Sequence, residues 1–199
     1  SSHLSHYFVL NSKREDVVEK TITSLNFFGD IFGYMELKKV PNLTVHVGVK
    51  SVYEDAQKAC NAFCLNFEKL SNSAKNILVI ENDQNSCTVD DCLSIHNKIG
   101  VPVVFDNRHF HWNKGALSFD EAVKECVSSW GKRTPKLHLS SDCDGKIHAH
   151  SGFIDLKDYL ELEKALLKCG INECNIMLEC KEKDAALLKL RKDIEEYIT

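Results

Sequence analysis

The chain has 199 residues, 43% hydrophobic and 27% charged, with a formal net charge of −4; that suffices for one substantial globular domain and is short for two. No apolar run approaches the ~18 residues of a membrane span, and nothing at the N-terminus resembles a signal peptide. The acidic balance argues against the basic surface usual in nucleic-acid binders, although carboxylates that hold divalent ions count as bare negatives, and each bound ion would return about two charges.

In chain order, Ser1, Ser2 and His3 read as the last residues of a strand. Val17, Val18, Ile22, Leu25, Phe28 and Phe32 recur at helical spacing, as do Val52, Ala56, Ala59, Phe63 and Phe67. Leu43–His46 and Ile77–Glu81 are short apolar runs that predict strands. A helix is predicted over Thr88–Ile99, with Thr88 as cap, Asp90 and Asp91 in its first turn and Gly100 as its stop. Val101–Asp106 is the next strand, with Pro102 near its start where a missing N–H is tolerated. Ser118 and Glu121 form a capping-box pattern, and Lys136–His138 is a further strand. The helix predicted over Asp155–Cys169 closes at Gly170, the run Cys174–Glu179 follows, and Glu182–Tyr197 is the terminal helix.

These runs lack clean alternation and read as apolar on both faces, as strands of a helix-covered parallel sheet do. The fold class is therefore α/β, a (β/α)8 TIM barrel. Five runs do not close such a barrel, so residues 1–199 are expected to be a single domain that is N-terminally incomplete, about strands four to eight plus the end of strand three. An open doubly wound sheet is the rival architecture. The nine cysteines include no C-x-x-C pair and read as reduced thiols of an intracellular protein, cytoplasmic in a prokaryote or virus and nuclear or mitochondrial in a eukaryote. Cys60 and Cys64 share an apolar face with Phe63 and Phe67 and belong to the core.

Five of the runs stop at His46, Glu81, Asp106, His138 and Glu179, and a parallel barrel gathers the C-terminal ends of its strands at one place. Each residue alone has a bland explanation, as a hydrogen-bonded core histidine or a helix cap. Five together would be costly to bury without a cation. His109 follows Asp106 by three residues and could reach the same ions, whereas His148 and His150 lie in the loop after the Lys136 strand. Oxygen-rich ligation mixed with imidazole, without thiolate, favours Mn²⁺, Mg²⁺ or Zn²⁺. Lys136 lies two residues before His138 on the same strand face. It could pair with Glu81 or Glu179, donate to a phosphate, or take up CO₂ as a carbamate.

Several segments, in this order and spacing, resemble the UV damage endonuclease family: His3 with Asn11-Ser12, His46-Val47-Gly48, Glu81-Asn82-Asp83, Asp106 with His109, Pro135-Lys136-Leu137-His138-Leu139-Ser140-Ser141, Ala149-His150-Ser151 and Met177-Leu178-Glu179. The resemblance spans nearly the whole chain, corresponding to roughly the C-terminal two-thirds of a family domain related to endonuclease IV-like TIM barrels. It implies His3, His46, Glu81, Asp106, His109, His138, His150 and Glu179 as ligands of up to three divalent ions, most often Mn²⁺, with Glu81 and Lys136 as catalytic residues. It also implies UV-damaged double-stranded DNA as partner, incised immediately 5′ of cyclobutane pyrimidine dimers or 6-4 photoproducts. The loop that presses into the duplex carries a polar residue, usually Gln, followed by Tyr in the family; here it reads His6-Tyr7. Gly152 stands where an acid is usual, and Asn107-Arg108 replace a more typical aromatic or histidine pair. Arg133 and Ser140 are candidate phosphate contacts. The rival readings are an abasic-site endonuclease, a sugar isomerase or epimerase on the same barrel, and a truncated relic that binds metal without cutting.

Overall fold

Capping residues written into the sequence set several helix starts. The computed structural model describes residues 1–143 and 146–199, with 146–148 described in backbone alone. In chain order the elements are β1 (Ser2–His3), α1 (Glu15–Tyr34), β2 (Leu43–His46), α2 (Ala56–Phe67), α3 (Asn72–Ile77), β3 (Leu78–Glu81), α4 (Val89–Ile99), β4 (Val103–Asp106), α5 (Asn107–Trp112), α6 (Phe119–Ser128), β5 (Lys136–Leu139), β6 (Asp142–Cys143), β7 (Lys146–His150), α7 (Leu156–Lys168), β8 (Asn175–Leu178) and α8 (Lys183–Ile198). Thr88 and Ser118 close capping boxes with Asp91 and Glu121, satisfying the first N–H groups of α4 and α6. Gly100 ends α4 at φ 72°, in the left-handed region that favours glycine. The second helix starts later than its apolar spacing predicts. Asp55 caps α2 by accepting from the Lys58 N–H, which leaves Val52 exposed in the preceding turn.

Six strands form one parallel sheet in the order β1-β2-β3-β4-β5-β8, and β6 and β7 form a separate antiparallel hairpin. The order never reverses, so the sheet has no switch point of the kind that defines a doubly wound fold. The six parallel strands among the described residues are two fewer than a closed (β/α)8 barrel uses. Among the described residues no helix is long and apolar enough to cross a membrane.

The strands do alternate, contrary to the reading of runs apolar on both sides. Leu43, Val45, Leu78, Ile80, Val103, Phe105, Leu137 and Leu139 all join one continuous apolar core with the helices. Between them Thr44, His46, Val79, Glu81, Val104, Asp106, Lys136 and His138 turn to the other face, because successive side chains on a strand point to opposite sides. Valines at the base of that inner face masked its polar upper level: Val79 and Val104 pack with Trp130 in a separate small cluster.

The register places the inner-face residues. His46 pairs with Glu81, Asp106 pairs with His138, and between these matched pairs the pairing steps by two residues: His3 lies opposite Thr44, Glu81 opposite Val104 and His138 opposite Met177. A two-residue step preserves which face a side chain takes. His46, Asp106 and Glu179, each two residues beyond those partners, therefore rejoin the inner face. Gly48 lets the chain turn away just after His46; its φ is 108°, and a Cβ there would lie 2.1 Å from Asn11 Oδ1.

Candidate metal centre

Each donor of the centre is delivered by a strand or by the first residues after one. Glu81, fully buried at the end of β3, lies at the middle. One of its oxygens is 2.7 Å from His3 Nε2 and 3.9 Å from His46 Nε2. The other is 2.9 Å from His138 Nδ1 and 3.5 Å from His109 Nδ1. Glu179 Oε1, just past β8, is 3.0 Å from His138 Nδ1. Two groups result, each with donor atoms within 4.8 Å of one another: His3, Glu81, His138 and Glu179, and Glu81, Asp106 and His109. Glu81 belongs to both.

Two of the predicted ligands sit beside these groups. Asp83 faces His46 from its far side, with Oδ2 3.5 Å from Nδ1, a buried nitrogen without a hydrogen-bond partner. Nothing in the apolar pattern pointed to Asp83; it stood out only within the Glu81-Asn82-Asp83 segment of the family resemblance. His150 lies on β7 rather than in a plain loop, with Nδ1 3.1 Å from the Glu179 carbonyl and its ring 6.1 Å from that of His109. The side chain of His148 lies outside the described residues. Arg108, buried, donates to Asp142 on β6 and pairs with Asp158 on α7, to which Ser141 also donates. That bridge fixes the hairpin carrying His150 against α5, a role the sequence did not reveal.

Electrostatics within the cluster balance burial against opposite charge. Burial works to lower the histidine pKa values, but Glu81 raises His3, Asp106 and Glu81 raise His109, and Glu81 with Glu179 raises His138 to about 10. Burial likewise opposes ionisation of Glu81 and Glu179, and His138 overrides it, holding both below the usual carboxylate range. Asp106 is pushed up and His46 down, burial being the largest cause for each. The carboxylates thus draw protons onto the imidazoles around them. Asp106 Oδ2 is buried with no hydrogen-bond partner, which costs a carboxylate about 1–3 kcal/mol or more unless a cation meets it. The oxygen and imidazole donor set, with that orphaned oxygen, fits divalent ions.

Lys136 occupies the layer beneath. Its Nζ donates to Thr44 Oγ1 at 3.3 Å, and burial lowers its pKa against the raising influence of Glu81 and Glu179. His6 and Tyr7, with rings 4.5 Å apart, line a cavity of 930 Å³ that also touches His46 and His109. Tyr7 is 77% exposed. Arg133 is not brought to this place. It sits before β5, over the Trp130 ring, and donates to Asn42 and the Pro41 carbonyl at the N-terminal end of β2, so it latches the opposite end of the sheet. Ser140 is at the donor end but fully buried, its backbone taken by Asn107.

A family model described as UV-endonuclease UvdE matches residues 1–199. The UV DNA damage endonuclease of Clostridium perfringens is 31% identical over 201 residues, covering 98% of this chain and 48% of that protein. That of Halalkalibacterium halodurans is 28% identical, covering 98% and 61%. The chain thus spans about half to three-fifths of the length of these relatives. Among solved structures, the crystal structure of SacUVDE superimposes with a TM-score of 0.86 at 31% identity, covering 98% of this chain and 65% of that one. A D-tagatose 3-epimerase-like protein superimposes with a TM-score of 0.71 at 16% identity, a likeness of TIM-barrel fold alone.

Proposed function

The chain belongs to the UvdE family, and on that premise we propose that it carries the metal centre of a DNA repair endonuclease. The reaction is hydrolysis of duplex DNA immediately 5′ of cyclobutane pyrimidine dimers and 6-4 photoproducts, leaving a 3′-hydroxyl. The observation that carries this reading is the pair of donor groups joined by Glu81, since a shared carboxylate suits two ions acting on one phosphodiester. UV-damaged double-stranded DNA is the partner and Mn²⁺ the preferred ion, up to three in number, with Mg²⁺ or Zn²⁺ meeting the same donors. Residues 1–199 act as one domain in an intracellular setting.

Divalent ions bound there would supply Lewis-acid polarisation of a phosphate and a water made more acidic, its pKa lowered from 15.7 towards ~7. His3, Glu81, His138 and Glu179 would hold one ion, Glu81, Asp106 and His109 would hold another, and His46 and His150 would extend the set. His138 holds the Glu81 pKa below the usual carboxylate range against the effect of burial, which favours the charged form that would ligate a cation. Burial favours the neutral amine of Lys136; addition of that amine to CO₂, with loss of a proton, would give an anionic carbamate facing the centre. The exposed ring of Tyr7, with His6, presses into the duplex. Damaged dinucleotides pair poorly and are extruded for less than the few kcal/mol that normal bases cost, leaving a gap in which Tyr7 stacks.

The test is an end-labelled duplex carrying one pyrimidine dimer, beside undamaged and abasic duplexes. The expected result is Mn²⁺-dependent nicking 5′ of the dimer that chelation abolishes and Glu81→Ala removes while the circular dichroism remains that of the folded chain. Unaltered nicking by Glu81→Ala overturns the proposed site. Cutting of the abasic duplex alone moves the reading to an abasic-site nuclease.

A further inference from the structure

The sequence places an asparagine directly after each of two acids that end neighbouring strands, Glu81-Asn82 and Asp106-Asn107. Both asparagines are buried, and both side chains make the same pair of bonds. Asn82 Nδ2 donates to the Asp106 carbonyl at 3.1 Å, and Asn82 Oδ1 accepts the Asp106 N–H at 2.9 Å. Asn107 Nδ2 donates to the Ser140 carbonyl at 3.1 Å, and Asn107 Oδ1 accepts the Ser140 N–H at 2.9 Å.

The positions are equivalent in register as well. Backbone pairing of β3 with β4 ends at Glu81 opposite Val104, two residues short of Asp106; pairing of β4 with β5 ends at Asp106 opposite His138, two residues short of Ser140. Each amide thus acts as an extra rung, supplied by a side chain, where the backbone ladder has run out. Without it, a buried N–H and C=O at each place would be left unpaired, which costs about 1–3 kcal/mol per group.

What the rungs hold is different. Asn107 holds Ser140, which lies in neither donor group. Asn82 holds Asp106, and its own carbonyl lies 3.0 Å from His109 Nδ1, while Asp106 Oδ1 accepts the His109 N–H at 2.7 Å. Resting on the metal-centre reading above, we propose that Asn82 is a positioning residue for the second ion: it sets Asp106 and His109 at their distance from Glu81, whereas Asn107 makes the same clamp for the fold alone. Partners behind metal ligands act in this way because they fix ligand orientation before the ion arrives.

Asn82→Ala and Asn107→Ala delete the same two bonds, so each controls for the other. Calorimetric titration with Mn²⁺ on the wild-type chain and both variants, with Glu179→Gln to assign the ion of the first group, measures the effect. The expected result is a loss of about ten- to a hundredfold in affinity for the second ion in Asn82→Ala. The first ion stays within about threefold there, and both ions do so in Asn107→Ala, although the two variants lose similar thermal stability without metal. Asn82→Ser, too short to reach both groups of Asp106, carries the same expectation if the alanine variant does not fold. Equal effects of the two asparagines on the ions, or none from Asn82, overturn the inference and leave the metal centre standing. Failure of the wild-type chain to bind Mn²⁺ overturns the centre and the inference with it.

Discussion

The two faces of the sheet are made by the same strands and do opposite things. On the helix side Leu43, Ile80, Phe105 and Leu139 pack into a continuous apolar core. On the inner side, one residue along in each strand, stand Thr44, Glu81, Asp106 and His138, buried just as deeply. The first face gains from burial because apolar surface leaves water. The second loses from it and is held by opposite charges and hydrogen bonds. Stability and chemistry are therefore interleaved at a period of two residues, so a substitution should affect one and leave the other largely intact.

That separation can be broken most severely at Glu81, the residue both donor groups share. Glu81→Ala is expected to remove both ions from a Mn²⁺ titration and reduce nicking to background, with the helix-side core unchanged by circular dichroism; retention of either ion at wild-type affinity would contradict the sharing. The converse experiment is Phe105→Ala on the other face. Removing that fully buried ring should cost about 3–5 kcal/mol in denaturant unfolding, while the folded protein binds Mn²⁺ as before.

A pH series sharpens the comparison. His138 has its pKa raised to about 10 by Glu81 and Glu179, against about 6.5 in an unfolded chain. Its contribution to stability is therefore complete below pH ~6.5 and is lost as pH rises towards about 10. Chelated protein should melt at progressively lower temperature across that window. With Mn²⁺ present the trend should flatten or reverse, because the ion replaces protons that become easier to displace. A parallel decline in both samples would remove the metal from the account. The smallest effect is expected at the rim: Tyr7→Ala should lower preference for damaged over intact duplex by about 1–3 kcal/mol, the worth of one stacked base, with Mn²⁺ affinity untouched. Equal loss in both measurements would contradict a role in lesion sensing.

Where pattern and chemistry coincided, the sequence was readable. Glu81, Asp106 and His138 stood out because each ends an apolar run, and Thr88, Ser118 and Gly100 marked helix limits through local bonds that need no tertiary context. Short elements gave no such signal. The six residues of α3 and of α5 are too few to display periodicity, and Asp106 hides the start of α5 by serving as its cap while also belonging to a donor group. The β6–β7 hairpin is largely polar, so His150 read as a loop residue. Arg133 is close to the Lys136–His138 motif in sequence but far from it in space, because the four-residue strand β5 separates the two ends of the sheet. Asn82 and Asn107 were visible as letters, and only the register revealed what their amides replace.

The two-residue steps in pairing have a geometric consequence. Strands of a barrel lean by ~36° from its axis, and neighbours lie ~4.8 Å apart, so staying at constant height from one strand to the next means climbing about one residue each time. From His3 to Glu179 the row climbs three steps of two residues across five pairings, close to that rate. The donors therefore lie along a level contour around the axis, although successive pairings alternate between an offset of two residues and none. A ligand arriving from above would meet the donors at one depth. A shift of any strand by two residues would keep each side chain on its proper face yet sink one donor below its neighbours, leaving the fold whole and the contour broken.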